Sequence, residues 1–166
     1  MATVTTLPAT FVSGAVLTAE QQNDLRGAFR VLQVVTGVTN DGTTSSTTTL
    51  IDTKLTQTIT PSSTSSKILV IANHPSCEKT NGSASNGLML HLFRGATDIG
   101  SALYNLGNTN STLDNIFSTQ IIVLDSPNSV AAQVYKTQFS NIVNAASVKV
   151  QYANRFSTIV LMEISA

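Results

Sequence analysis

The residue types that most readily hold a metal ion come together once in this chain. His74 and Cys77 stand in an H-x-x-C spacing, and His91 follows. A zinc site needs three or four ligands, each oriented by further hydrogen bonds. With two histidines and one cysteine in the whole chain, this set barely reaches that number. We therefore expect no metal site and no cofactor, with His74 at the end of a strand, Cys77 in the loop after it and His91 within a strand.

Catalytic groups are equally sparse. Glycan cleavage needs two carboxylates roughly 5 to 10 Å apart, and the candidates near predicted loops are Asp98, Asp114 and Asp125. An aspartate beside a turn normally accepts hydrogen bonds from its own backbone instead. Serines are abundant, but no G-x-S-x-G sequence presents one as a nucleophile, and no glycine-rich loop precedes a predicted helix. We expect that the protein is not an enzyme and has no catalytic residues.

The composition of the predicted loops suits ligand binding better than it suits catalysis. Recognition of a neutral glycan needs hydrogen-bonding side chains in a loop with an aromatic face nearby. The stretch 104–112 has this composition and is the longest predicted loop, and the stretch 76–86 is the second choice. The candidate receptor-binding or glycan-binding residues are Tyr104, Asn105, Asn108 and Asn110. The alternative, that both stretches are only solvated connections, remains open.

Charge excludes several classes of partner. Only 11% of the 166 residues are charged, against roughly 25% in ordinary soluble domains, and nine basic residues balance nine acidic ones. No basic cluster is present for nucleic acid or for an anionic membrane surface, and the apolar runs are too short to span a bilayer. Serine, threonine and asparagine make up about a third of the chain. This composition indicates a folded surface that neighbouring subunits cover, although a threonine-rich monomer is an alternative.

The first 28 residues form a predicted unit of their own. Pro8, Gly14 and many β-branched residues favour an extended arm over residues 1–17. The capping-box spacing of Thr18 and Gln21 then predicts one short helix that ends near Gly27. The arm has no signal-peptide pattern, so we expect synthesis in the cytoplasm without export. Its apolar residues are predicted to anchor the chain on another subunit: Leu7, Phe11, Val12, Val16 and Leu17.

From residue 29 onward the sequence has the two-residue period of β-strands. Runs rich in valine, isoleucine, threonine and aromatic residues alternate with turn residues such as Asn81-Gly82. The run from Lys67 to Ile71 does not alternate, which predicts a central strand covered on both faces. We predict an all-β fold, an antiparallel β-sandwich or jelly roll, as one domain over residues 29–166. About ten strands are predicted, at 29–38, 45–50, 53–60, 67–73, 86–94, 97–103, 116–125, 130–139, 147–153 and 157–165.

The segment 11–26, with its Gly-x-Val-Leu-Thr-Ala sequence leading into a helix rich in glutamine and asparagine, resembles the opening of many tailed-bacteriophage structural proteins. The tail-fibre-like and decoration-like proteins of phages of aquatic bacteria are the nearest likeness. Segments 59–70, 92–97 and 157–163 resemble the same group. The resemblance implies a virion protein with an anchoring N-terminus and a β-rich head, usually trimeric, similar to the jelly rolls of the tumour-necrosis-factor and C1q type. Unlike long fibres, this chain has no heptad or fibrous shaft.

These features together predict a non-enzymatic structural protein on the surface of a phage particle. The first expectation is a fibre or tail-associated subunit that contributes to attachment to the host surface. The alternative is a capsid decoration protein that stabilises the head lattice and binds no receptor. The expected partners are further copies of the chain in a homotrimer, other virion proteins through residues 1–28, and a host-surface glycan. Neither nucleic acid nor membrane insertion is expected.

Overall fold

The computed structural model describes residues 30–100 and 103–165 of the chain, and these residues fold into two packed antiparallel sheets. The all-β sandwich predicted from the two-residue period is therefore confirmed. The predicted arm, short helix and anchoring residues within 1–28 lie outside the described residues. No helix in the described part is long and apolar enough to cross a lipid bilayer. The strands are β1 (Val31–Thr39), β2 (Thr43–Ser45), β3 (Ile51–Ile59), β4 (Lys67–Lys79), β5 (Leu88–Arg94), β6 (Thr97–Asp98), β7 (Leu103–Leu106), β8 (Asn115–Asp125), β9 (Gln133–Asn141), β10 (Val148–Val150) and β11 (Ser157–Ile164).

The two sheets have the strand order of a jelly roll. In the six-stranded sheet, β1, β11, β4 and β8 lie side by side, and β10 and β2 continue the sheet along the end of β4. In the five-stranded sheet the order is β3, β9, β5, with β6 and β7 both paired to β5. The chain changes sheet six times, between β2 and β3, β3 and β4, β4 and β5, β7 and β8, β8 and β9, and β9 and β10. These crossings bring strands distant in sequence together, so the two layers share one core.

The core between the sheets is aliphatic, as a chain with 5% aromatic residues requires. Its largest aromatic members, Tyr135 and Phe139, both come from β9 and are fully buried. Alternate residues of each strand point inward, so every sheet contributes one apolar face. The remaining buried hydrophobic residues are Leu55, Ile59, Ile68, Val70, Ala72, Cys77, Leu88, Leu90, Leu92, Ile121, Val148, Val150, Ile159 and Leu161.

The predicted end of the fourth strand was wrong. The sequence placed Cys77 in a loop after His74, whereas β4 continues to Lys79 and Cys77 is buried in the core. Proline has no amide hydrogen for the ladder, and Pro75 lies where the register shifts: His74 pairs with Thr119, and the next pair joins Cys77 to Phe117. One extra residue on β4 therefore forms a β-bulge that carries the strand past the proline.

Several other strand predictions need smaller corrections. The strand predicted at 97–103 contains β6, which ends at Asp98, and the strand predicted at 147–153 is β10, which ends at Val150. The strand predicted at 45–50 is β2, which ends at Ser45. The hydroxyl of Ser45 donates to the carbonyl of Thr47, and the side chain of Asn144 accepts from the amide of Thr48. One local side chain and one from a distant loop thus take up backbone groups that a ladder would otherwise use. In addition, the loop predicted from Tyr104 begins as strand β7, which pairs with β5.

One edge of the sandwich is closed by side chains that join β1 to β3. The Gln33 amide donates to the carbonyl of Thr60 at 2.7 Å, and the Gln57 amide donates to the carbonyl of Thr36 at 2.7 Å. Gly37 lies next to the second bridge, where a β-carbon would be 2.6 Å from the carbonyl oxygen of Thr56. The absence of a side chain at Gly37 therefore permits the close approach of the two sheets.

Candidate recognition end and apolar sheet face

Four connections meet at one end of the sandwich, which we call the loop end: residues 46–50, 80–87, 107–114 and 142–147. Backbone hydrogen bonds join neighbouring loops, from the Gly82 amide to the Thr112 carbonyl at 3.2 Å and from the Ile142 amide to the Gly87 carbonyl at 3.0 Å. Because each loop uses backbone groups of another, the four form one continuous surface rather than independent flaps. The loop end is thus preorganised.

Lys79 supports the loop end from below. It is fully buried at the end of β4, and its ammonium group donates to the carbonyls of Ser111 and Leu113, the second at 3.0 Å. A buried ammonium is stabilised by such charge-assisted hydrogen bonds to carbonyl dipoles. Lys79 therefore fixes the path of the 107–114 loop.

The predicted binding residues divide into two groups. Asn108 is used within the protein: its amide donates to the carbonyls of Ala84 and Asn86, at 3.0 and 2.9 Å, and its side-chain oxygen accepts from the backbone of Asn110. An asparagine with these bonds shapes the loop and has little capacity left for a ligand.

Tyr104, Asn105 and Asn110 face solvent. Tyr104 is 65% exposed on the edge strand β7, just below the loop end. Asn105 and Asn110 have positive φ angles, 58° and 52°, a conformation that asparagine adopts more readily than most residues. The side-chain oxygen of Asn105 lies over Gly87, 2.5 Å from the position that a β-carbon there would occupy. One aromatic face and two turn asparagines are therefore displayed beside the loop end.

The opposite end, which we call the terminal end, is where the described chain begins and finishes. The amide of Ser165 donates to the carbonyl of Arg30 at 3.0 Å, so the two ends of the described chain lie together. β4 runs the length of the sandwich between the two ends, and its 13 residues span roughly 40 Å. Arg30, the first described residue, thus lies about as far from the loop end as the fold allows.

Glu163 ties three segments together near the terminal end. Its carboxylate accepts from the Gln33 amide at 2.6 Å and from the backbone and hydroxyl of Ser62, at 2.7 and 2.6 Å. Burial raises the pKa of this carboxyl, but the hydrogen bonds from Ser62, Gln33 and Ser66 outweigh that effect and lower the pKa to about 2. The ionised carboxylate therefore holds β1, β11 and the β3–β4 connection in place at neutral pH.

The outward side of the six-stranded sheet carries a contiguous apolar surface, which we call the apolar face. The strand registers place its members in two rows across β1, β11, β4 and β8. Several are more than half exposed: Val34 and Leu124 at 53%, and Ile122 at 58%. No apolar residue was singled out here from the sequence, although the run from Lys67 to Ile71 indicated a strand covered on both sides. The apolar face consists of Val34, Leu69, Ile71, Ile122, Leu124, Val160 and Met162.

The three potential zinc ligands serve other purposes. His74 is fully buried, where desolvation lowers its pKa to about 4, and burial raises the pKa of Cys77 to about 12. His91 lies on the outward side of the other sheet, with its Nδ1 2.6 Å from a carboxylate oxygen of Asp98. No group of three histidine, cysteine or acidic residues arranged to hold a metal ion occurs in the described part of the chain.

A serine does approach a histidine, but inside the core. The hydroxyl of Ser157 lies 3.0 Å from Nδ1 of His74, and Thr137 is 3.1 Å from Nε2. The amide of Gln151 donates to Ser157 at 3.0 Å. All four side chains are buried, so this cluster presents no nucleophile to solvent. It satisfies polar groups between the two sheets.

The three candidate carboxylates are also separately engaged. Asp114 accepts from the backbone of Asn81 at the loop end, and Asp98 contacts His91. Asp125 accepts both from Arg94 and, at 2.7 Å, from the hydroxyl of Tyr135 near the terminal end. The carboxylates of Asp114 and Asp125 therefore lie toward opposite ends of the sandwich, which does not suit a cooperating acid and base.

Two concavities lined by described residues are small. A pocket of about 180 Å³ is lined by residues 42–44 and 149–154, and one of about 140 Å³ lies beside Lys54 and Lys136. Both are below the roughly 300 Å³ at which small-molecule sites begin. The broad loop end and the apolar face are better suited to a partner with an extended surface. No family model matches this chain, and no curated protein matches it in a sequence search.

Proposed function

We propose that the protein is a non-enzymatic structural subunit of a phage particle, associated with the tail or a fibre, and that it contributes to attachment to the host surface. The observation that carries this proposal is the opposition of the two ends. Arg30, the first described residue, lies at the terminal end, while the interlocked polar loops and Tyr104 lie at or near the other. A subunit anchored through its N-terminal segment would present the loop end outward.

The chemistry of the loop end fits a neutral carbohydrate better than a charged ligand. Its loops are rich in serine, threonine and asparagine, and Tyr104 supplies an exposed ring on which a sugar can stack. Lys79, the buried cation below these loops, donates to backbone carbonyls. We propose Tyr104, Asn105 and Asn110 as the recognition residues, with Asn108 holding the loop that carries Asn110.

The proposal also includes a homotrimer on the virion surface and attachment to other virion proteins through residues 1–28. The low charge of the chain supports extensive contact between subunits. Only 11% of its residues are charged, which is few for a surface that is fully exposed to water. The resemblance of residues 11–26 to phage structural proteins supports the choice of particle.

Alanine in place of Tyr104 tests the recognition role. Particles that carry Tyr104→Ala should adsorb to host cells about fivefold more slowly or slower still, because a stacking platform contributes about 1 kcal/mol or more. Phe156→Ala is the matched control, since Phe156 is 61% exposed but precedes β11 in the other sheet. Equal adsorption by the Tyr104→Ala particles and the wild type would remove the recognition role.

A count of copies per particle separates this proposal from capsid decoration. The extensive apolar face would also suit a cement protein that binds capsid neighbours. Quantitative mass spectrometry of purified particles should find a few to tens of copies for a tail subunit, and hundreds for a decoration protein. Absence of the chain from particles would refute both.

A further inference from the structure

The apolar face is left without cover by a single copy of the chain. Its two rows join Val34, Met162, Leu69 and Leu124, and, one step along the strands, Val160, Ile71 and Ile122. Solvent-facing sides of antiparallel sheets are normally polar, because only the inner side needs to be apolar. A contiguous apolar surface of this kind therefore marks an interaction site.

The strand sequences indicate that the six-stranded sheet is covered on both sides, whereas the five-stranded sheet is covered on one side only. Three of its strands contain continuous apolar runs, at 68–72, 121–124 and 159–162, where a strand with one wet side would alternate. The outward side of the five-stranded sheet instead carries Asp52, Lys136 and Gln138, joined by hydrogen bonds of 2.7 and 2.8 Å. One sheet of the same domain is thus compatible with water on its outer side and the other is not.

Charge restricts what can cover the apolar face. Between Lys67 at one border and the Glu78–Lys149 ion pair at the other, the outward residues of the four long strands include no charged side chain. The neutral members are Thr36, Asn73, Ser118, Gln120 and Thr158. A complementary surface must also be apolar and uncharged, since a charge buried there would have no partner. The apolar face itself meets both conditions.

The size of the apolar face is that of one side of a stable interface. Together with Val38, which is 55% exposed on β1, the half-exposed residues offer on the order of 500 Å² of apolar surface. A specific interface of standard size buries about 800 Å² on each partner, and somewhat more than half of that area is apolar. The apolar area of the face therefore matches the apolar area of one side of such an interface, and a second copy of the chain would be large enough to cover it.

We propose that the apolar face is the surface through which copies of this chain associate, so that its occupant is a second copy. The inference rests on the homotrimer included in the proposed function, and it assigns the contact to particular residues. The most exposed members lie on the two outer strands, Val34 on β1 and Ile122 and Leu124 on β8. In a closed ring, the β8 side of each copy packs against the β1 side of the next.

A charge placed in the apolar face tests the inference directly. The full-length wild-type chain, measured by size-exclusion chromatography with light scattering at micromolar concentration, should have about three times the 17.5 kDa mass of one chain. Ile122→Lys should shift it to 17.5 kDa at the same concentration, with an unchanged β-type circular dichroism spectrum. Val130→Lys is the matched control, because Val130 is 55% exposed in the β8–β9 connection, and it should remain assembled.

Two results would overturn the inference. A monomeric wild-type chain would mean that the N-terminal segment or a different protein covers the face, and an assembled Ile122→Lys variant would mean that copies meet elsewhere. If Ile122→Lys unfolds, Gln120→Lys supplies the same charge at an exposed polar position beside Ile122 on the same side of the sheet, and the same shift to monomer is expected. Particles that lack the chain would refute the proposed function while leaving this self-association intact, so the two failures are distinguishable.

Discussion

At the scale of single residues, His74 has the largest consequence for stability, although a histidine beside a serine would ordinarily suggest a catalytic role. His74 has hydrogen-bond partners at both ring nitrogens, Ser157 at 3.0 Å and Thr137 at 3.1 Å, and all of them are buried between the sheets. An imidazole placed there must stay neutral, because no carboxylate is among its hydrogen-bond partners to balance a positive charge. His74 is thus a structural group whose protonation opposes folding.

This environment predicts acid sensitivity with a defined origin. Burial lowers the pKa of His74 from 6.5 to about 4, so between these values the unfolded chain binds the proton and the folded chain does not. Stability is therefore unaffected by His74 above about pH 7 and falls as the pH decreases, by about 2 kcal/mol from pH 8 to pH 5. Urea unfolding at both pH values measures the difference.

The other histidine provides the control for His74. His91→Gln should retain the loss of stability between pH 8 and pH 5, because His74 is still present. His74→Gln should show a much smaller loss, whatever its stability at pH 8. Equal pH dependence in the wild type and His74→Gln would show that the imidazole is not the source.

At the scale of elements, the predictable part of the fold is the part that periodicity encodes. Apart from the end of β4, alternation located both ends of the long strands to within three residues, because an apolar face must repeat every second residue to reach the core. Pro75 misled the prediction, since a proline usually ends a central strand and here only shifts the register of β4 against β8. Whether a proline ends a strand or forms a bulge depends on the partner strands, which one segment does not reveal.

The candidate sites also divide into residues that the local sequence indicates and residues whose role depends on the tertiary fold. Tyr104 was recognisable from its type and its neighbours, and it is exposed as an aromatic contact should be. Asn108 has the same side chain as its neighbour Asn110, yet it is bound to Ala84 and Asn86 in a distant loop. The apolar face was also out of reach, because it is assembled from four strands whose order depends on the tertiary fold.

Gly37 offers a test of how the edge of the sandwich is closed. A β-carbon there would meet the carbonyl oxygen of Thr56 at 2.6 Å and a methyl of Ile159 at 2.9 Å, so β1 and β3 would have to separate. We expect Gly37→Ala to lower the free energy of unfolding by about 1–3 kcal/mol, as overpacking of a core typically does. Denaturant unfolding measures the change.

Gly42 is the matched control for Gly37, since a β-carbon at that position would be 3.4 Å from its nearest neighbour, an ordinary contact. Gly42→Ala should alter the free energy of unfolding by less than about 0.5 kcal/mol. If the two variants were equally stable, the close approach of β1 to β3 would not constrain the sandwich.

At the scale of the whole molecule, the head has three separate regions. The loop end is polar and held by hydrogen bonds, the apolar face is neutral, and the described chain begins at the terminal end. Strand β4 connects all three regions: its start lies near the terminal end, its outward residues Leu69 and Ile71 belong to the apolar face, and Lys79 supports the loop end. Because the three regions consist of different residues, a surface substitution in one should leave the other two intact.

This separation of regions predicts the effect of removing residues 1–17. The core residues of the sandwich all belong to the strands from β3 to β11, so the shortened chain should still fold, with a cooperative thermal transition. It should also still associate through the apolar face, because none of the residues that form the face lies in the removed segment. Without Leu7, Phe11, Val12, Val16 and Leu17, however, it should fail to join particles, as measured by mass spectrometry of purified virions. Loss of folding on this deletion would instead make the arm part of the core, and normal incorporation would mean that the head itself holds the attachment site.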